Sequence, residues 1–192
     1  MIIDNIDKIL PFLIFDNEDD FYYLQILQRK KENKELGSNS RVIKNYYINS
    51  QEYLTSHYDE IKELCTQFNA RASMRLNKRS YESVAFKCLE NIANSMRNRE
   101  YKFIKASYDR ACGLGHNDKN KKWILDIDKE DLVNLKLIKK DLITLSEKDI
   151  ILAELESKSG IHLITKPFNS FVFSDIHKIE IHKDNPTNLY IP

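Results

Sequence analysis

Hydrophobic positions along the chain switch repeatedly between a period of two and a period of three to four, so strands and helices are expected to interleave. Ile3, Ile6, Leu10 and Leu13 have helical spacing and predict a short opening helix ending around the acidic run at 16–20. Aromatic and β-branched residues at 22–28 and 41–48 predict two strands, joined as a hairpin through Gly37, Ser38, Asn39 and Ser40. Asn49 with Glu52 is a capping-box pair opening a helix whose stripe is Leu54, Tyr58, Ile61, Leu64, Cys65 and Phe68. The clearest half-buried strand is 70–77, where Ala70, Ala72, Met74 and Leu76 alternate with Arg71, Ser73, Arg75 and Asn77.

Ser80 can cap a second helix, in which Val84, Ala85, Cys88, Leu89, Ile92, Ala93 and Met96 recur with helical period. A loop with Gly113 and Gly115 leads to a strongly apolar strand at 123–128 that carries Asp126 and Asp128. A Lys-rich segment follows, then a helix predicted to start near Ser146, with Asp149 completing a capping box. Short strands at 161–165, 178–183 and 189–191 finish the chain. The sum is an α/β (α+β) fold, a sheet with helices packed on one face and the other face open.

Composition narrows the function classes. The 192 residues make about one domain, and 42% hydrophobic with 31% charged residues describe a folded chain. Lys+Arg 30 against Asp+Glu 29 leaves a net charge of +1, so attraction to a polyanion must come from local patches. Three widely spaced cysteines argue against a disulfide framework and fit a cytoplasmic setting. No window reads as a membrane span. The Gly-x-x-x-x-Gly-Lys loop of P-loop ATPases is absent, and Cys112 with His116 lacks the second ligand pair of a structural zinc site. The Lys-to-Arg ratio and abundant Ile and Asn match an AT-rich coding genome, viral among the sources that fit.

Three elements carry candidate chemistry. Strand period puts Asp126 and Asp128 on one face with Cβ atoms roughly 7 Å apart, a spacing at which two carboxylates share a hard cation such as Mg²⁺ or Mn²⁺. Lys158-Ser159-Gly160-Ile161-His162 is a glycine turn entering a strand with a histidine near its start. Glu180, His182 and Asp184 alternate along a late strand.

In this order the three elements resemble the catalytic core of the archaeo-eukaryotic primase (primase-polymerase) superfamily, over residues from about 120 to the C-terminus. Asp126 and Asp128 match its Asp-x-Asp strand. Ser159 and His162 approximate its Ser-x-His, with one extra residue between them, and Asp184 is the best match to its third acid, with Glu180 and Asp175 as rivals. The resemblance implies a modified RNA-recognition-type sheet over a single domain, 1–192, with an α/β half at 1–118 and a palm-like metal-binding half at 119–192. It also implies a magnesium- or manganese-dependent nucleotidyltransferase that makes or extends a primer on a nucleic-acid template, as in DNA replication. Asp126, Asp128 and Asp184 would hold the metals, and His162 would meet the phosphates of a nucleoside triphosphate. Arg71, Arg75, Lys78 and Arg79, with Ser159, would grip triphosphate or template, and a separate helicase would supply unwinding. Two alternatives stay open: a non-catalytic nucleic-acid or protein-binding module on the same fold, and a nickase of the replication-initiator type.

Overall fold

The computed structural model describes all residues except 1, 38, 115–119, 147 and 148, so Ser38, Gly115 and His116 lie outside the described residues. The opening segment is not one helix. It makes a two-residue strand β1 (Ile3–Asp4), a single turn α1 (Ile6–Ile9) and a 3₁₀ turn at Leu10–Phe12. Pro11 lacks a donor N–H, which favours ending regular helix there.

The predicted hairpin follows as β2 (Asp20–Gln28) and β3 (Arg41–Ile48), paired antiparallel from Tyr22–Ile48 to Gln28–Arg41. Helices α2 (Gln51–Ser56) and α3 (Tyr58–Gln67) come next, and Ser50 rather than Asn49 supplies the cap, accepting from the Tyr53 N–H at 2.9 Å. The alternating strand is shorter than its pattern, β4 (Arg71–Met74), and is followed by β5 (Arg79–Ser80). Ser80 caps α4 (Tyr81–Arg97) as expected, its Oγ accepting from the Ser83 N–H at 3.1 Å, and α5 (Ser107–Leu114) completes this part. Gly113 lies within α5, not in a loop.

The apolar strand β6 runs from Trp123 to Asp128, the predicted limits. The helix expected near Ser146 lies earlier, as α6 (Leu135–Leu145), because Leu135, Ile138 and Leu142 carry the helical stripe. Residues after Asp149 form strand β7 (Ile151–Ser157), where exposed and less exposed positions alternate. Then come β8 (Gly160–Thr165), α7 (Ser170–Ile176), β9 (Glu180–His182) and β10 (Thr187–Ile191).

Two sheets result. The first has the order β1-β10-β4-β2-β3, with β5 on the end of β2, and the second β7-β8-β6-β9; every pairing is antiparallel. In the second sheet the chain runs βαββαβ, a ferredoxin-like arrangement shared with RNA-recognition sheets. Leu125, Ile127 and Leu163 pack there with Ile138 and Leu142 of α6 and Phe173 of α7, so the helices cover one face, as expected. Strand β10, from the half at 119–192, returns to the first sheet between β1 and β4.

On its other face, Ile124, Leu155 and Ile164 join the main core with Leu24, Ile26, Met74 and Tyr190 of the first sheet. One end of that face is therefore closed by packing and the other is left as a cleft. No described helix is long and apolar enough to cross a membrane.

Candidate functional site

Antiparallel register decides what stands together in the cleft. Asp126 of β6 lies directly opposite His162 of β8 on one side and Glu180 of β9 on the other, while Ile124 is opposite His182. Directly opposed residues share a face, so Asp126, Asp128, His162, Glu180 and His182 all project from the side that α6 and α7 leave uncovered. The cleft of about 290 Å³ is bounded on this side by Asp126, His162 and His182, and across it by Arg71, Ser73, Leu27 and Asn188 of the first sheet. Arg29, the turn Ser157-Lys158-Ser159 and Asn185-Pro186 close its ends.

Gly160 makes the close strand approach feasible. It pairs with Asp128, and a Cβ there would stand 1.9 Å from the Ile127 carbonyl oxygen, so any side chain would push β8 away from the Asp-bearing strand. Ser159 then lines the cleft from the hairpin turn while its carbonyl accepts from the Lys129 N–H at 2.7 Å. The Ser157 hydroxyl oxygen, buried on the same wall, has no hydrogen-bond partner among the described residues.

His162 is contacted at both ring nitrogens. Its Nδ1 is 2.8 Å from the buried Thr187 hydroxyl, and its Nε2 is 3.5 Å from Asp126 Oδ1. Burial lowers the imidazole pKa below the ordinary 6.5; Asp126 works the other way, and His182 and Arg71 add to the lowering. The ring is thus kept neutral at neutral pH beside a partly exposed carboxylate.

Arg71 is the basic strand residue that reaches the cleft. Its guanidinium is clasped by Glu32, with Nε donating to Oε2 at 3.0 Å and Nη2 donating to Oε1. Lys158 Nζ shares the same carboxylate at 3.0 Å. Burial, reinforced by the neighbouring Arg29, lowers the Arg71 pKa to about 10, which leaves it charged at neutral pH.

The other expected phosphate ligands are engaged elsewhere. Arg79 is fully buried, donating Nε to the Cys112 carbonyl at 2.9 Å and Nη2 to Asp184 Oδ2 at 2.6 Å. Arg75 Nη1 donates to the Asp184 carbonyl and lies 3.4 Å from its carboxylate; burial lowers its pKa, with Asp184 acting against that. Lys78 pairs with Asp16 and with Asp20, the latter at 2.7 Å; burial disfavours its charge, but the two carboxylates outweigh this and raise its pKa. These three side chains tie the β4–β5 turn to its surroundings because each is too buried to go without a counter-charge.

Asp184 is corrected on the same ground. Besides Arg79 and Arg75 it accepts from Asn77 Nδ2 at 3.1 Å, so its carboxylate is the centre of a structural ion-pair network, not a third ligand beside Asp126. Asp175 is on α7, the helix layer covering the opposite face of the sheet. Of the three acids considered, Glu180 alone is in register with Asp126, although its Oε2 is 3.3 Å from His182 Nε2. Among the described residues no three His, Cys, Asp or Glu side chains converge to metal-binding distance. The donors at Asp126, Asp128 and Glu180 suit a hard divalent cation in chemistry and face, without forming a closed cage.

Sequence reasoning missed Arg29, Glu32, Asn188 and Thr187. His182 was visible in the alternation with Glu180, but Arg29 and Glu32 follow β2 in a polar stretch where nothing in the pattern separates them from solvated charges. No protein-family model, curated protein or solved structure matches this chain.

Proposed function

We propose that the chain is a primase-polymerase-type nucleotidyltransferase that holds a nucleoside triphosphate in the cleft and adds it to a strand on a nucleic-acid template. The observation carrying this reading is the pairing of Asp126 with His162 on adjacent strands of the βαββαβ sheet, across a cleft from Arg71. Arg29, Arg71 and Lys158 supply cationic walls for phosphate oxygens, with Ser157, Ser159 and Asn188 as neutral hydrogen-bonding groups. Asp126 and Asp128, with Glu180 as the third acid, would hold Mg²⁺ or Mn²⁺. Held there, such an ion would supply Lewis-acid chemistry, lowering the pKa of an attacking 3′-hydroxyl and offsetting charge on the α-phosphate and leaving pyrophosphate. His162, fixed by Thr187, orients toward Asp126 and offers a neutral ring to the bound phosphates. On this reading the protein works in the cytoplasm, with a separate helicase exposing template.

The test is primer extension and de novo synthesis with Mg²⁺ or Mn²⁺, comparing wild type with Asp126→Ala/Asp128→Ala. Synthesis by wild type that the double variant loses is expected. A folded wild type that incorporates no nucleotide with either metal overturns the reading.

A non-catalytic nucleotide- or template-binding module is the second reading, and the diversion of Asp184 into the arginine network favours it. It predicts binding that survives the double substitution in a protein without synthesis. The nickase reading loses ground because it requires a nucleophilic tyrosine, and none of the described residues lining the cleft is one.

A further inference from the structure

In its C-terminal half helix α4 buries Ser95, while several of its large apolar residues face outward. Ser95 is 4% exposed and Asn91 donates Nδ2 to the Ser107 carbonyl at 3.3 Å, so the inner side of its C-terminal half is polar. Val84 is buried and Cys88 packs beside it, but Phe86, Leu89 and Met96 are 67%, 63% and 56% exposed, with Ala93 exposed between them. This corrects the expected core stripe through Leu89, Ala93 and Met96. Phe86, Leu89, Ala93 and Met96 follow the heptad spacing of a helix–helix seam, and a stripe of large apolar groups left in water marks an interaction surface.

We propose that this stripe is the interface of a symmetric homodimer in which α4 packs antiparallel against α4 of a second copy. The pattern is self-complementary. A two-fold axis crossing the helix between Leu89 and Ala93 places Phe86 against Met96 of the second copy, and Leu89 against Ala93 of the second copy. The first is a favourable thioether–aromatic contact and the second fits a large side chain over a small one.

Charge selects the direction. The N-terminal end carries Glu82, whose N–H donates to the Asp19 carboxylate, and the C-terminal end carries exposed Arg97 and Arg99. Antiparallel pairing brings Glu82 within one helical turn of Arg97 of the second copy and opposes the two helix dipoles; parallel pairing would stack like charges. Beside the stripe, Lys87 and Glu90 already neutralise each other at 2.7 Å.

Sedimentation and light scattering across a concentration series of the full chain test this independently of any activity. A reversible monomer–dimer equilibrium is expected, weakened roughly tenfold or more by Leu89→Glu. Ala93→Glu, at a position that is also exposed, is expected to do the same should Leu89→Glu disturb folding. Arg97→Glu weakens association, and Glu82→Arg/Arg97→Glu restores it. A monomer at all concentrations up to roughly 100 µM, a dimer indifferent to both glutamate variants, or a double charge swap that fails to restore association overturns the proposal.

Discussion

The carboxamide of Asn5 pairs with both main-chain groups of Glu156: Nδ2 donates to its carbonyl and Oδ1 accepts from its N–H, each at 3.0 Å. The same Nδ2 donates to the Asn188 carbonyl at 2.9 Å. One side chain, 1% exposed, thus joins the edge strand β7 of the second sheet to β10 of the first, beside the cleft. Asn5→Ala leaves the buried Asn188 carbonyl and the part-buried Glu156 main-chain groups without this partner and is expected to cost about 2 kcal/mol in chemical denaturation. A loss within error of zero would show that the sheets are held by apolar packing alone.

Asp184→Ala leaves the fully buried Arg79 without its carboxylate. The expected loss is about 3–5 kcal/mol of unfolding free energy, with divalent-cation binding unchanged in any protein that remains folded. Calorimetric Mn²⁺ titration of a stable Asp184→Ala protein that had lost metal affinity would return Asp184 to the metal site.

Gly160→Ala places a methyl group against the Ile127 carbonyl. Separation of β8 from β6 is expected to lower stability by about 3 kcal/mol and to reduce nucleotide binding, since His162 and Asp126 hang from those two strands. Thermal melts and equilibrium binding on the same preparation check it; a variant as stable as wild type contradicts the close approach.

Glu32 neutralises Arg71 and Lys158 on the cleft wall, and Asn33, buried beside it and bonded to the Arg29 and Asn69 carbonyls, anchors its loop. Removing that negative charge with Glu32→Gln is expected to tighten nucleoside triphosphate binding roughly tenfold, about 1.4 kcal/mol, and to steepen its salt dependence. Unchanged or weaker binding by a folded variant would mean that the ligand displaces nothing at Glu32.

Burial pushes the thiols of Cys65 and Cys112 up to about 12, and both side chains are sealed from solvent. Thiolate supply is therefore negligible at neutral pH, and alkylation followed by mass spectrometry is expected to label part-exposed Cys88 first and the other two only on unfolding. Rapid labelling of Cys112 would contradict its packing under α4.

Period-two and helical patterns were enough to delimit β6, to pair β2 with β3 and to assign the α4 cap to Ser80, because each rests on local alternation or one side chain three residues from its partner. They also put Asp126 and Asp128 on one strand face. Where the pattern was ambiguous, as in the Lys-rich segment before β7, the helix was placed too late.

What alternation cannot express is competition among distant charges for a partner. Asp184 looks like Glu180 along the strand, yet Arg75 and Arg79, more than a hundred residues away, claim it, because a buried guanidinium without a carboxylate is too costly to keep. Burial likewise kept Val84 and Cys88 of α4 against α5 but left Leu89 and Met96 in water, a division its own sequence does not record. The chain by itself determined the acid-bearing strand β6 and the shared face of its two acids; only the tertiary structure decided which charges face the cleft and which are tied into buried ion pairs, since desolvation acts on neighbours in space.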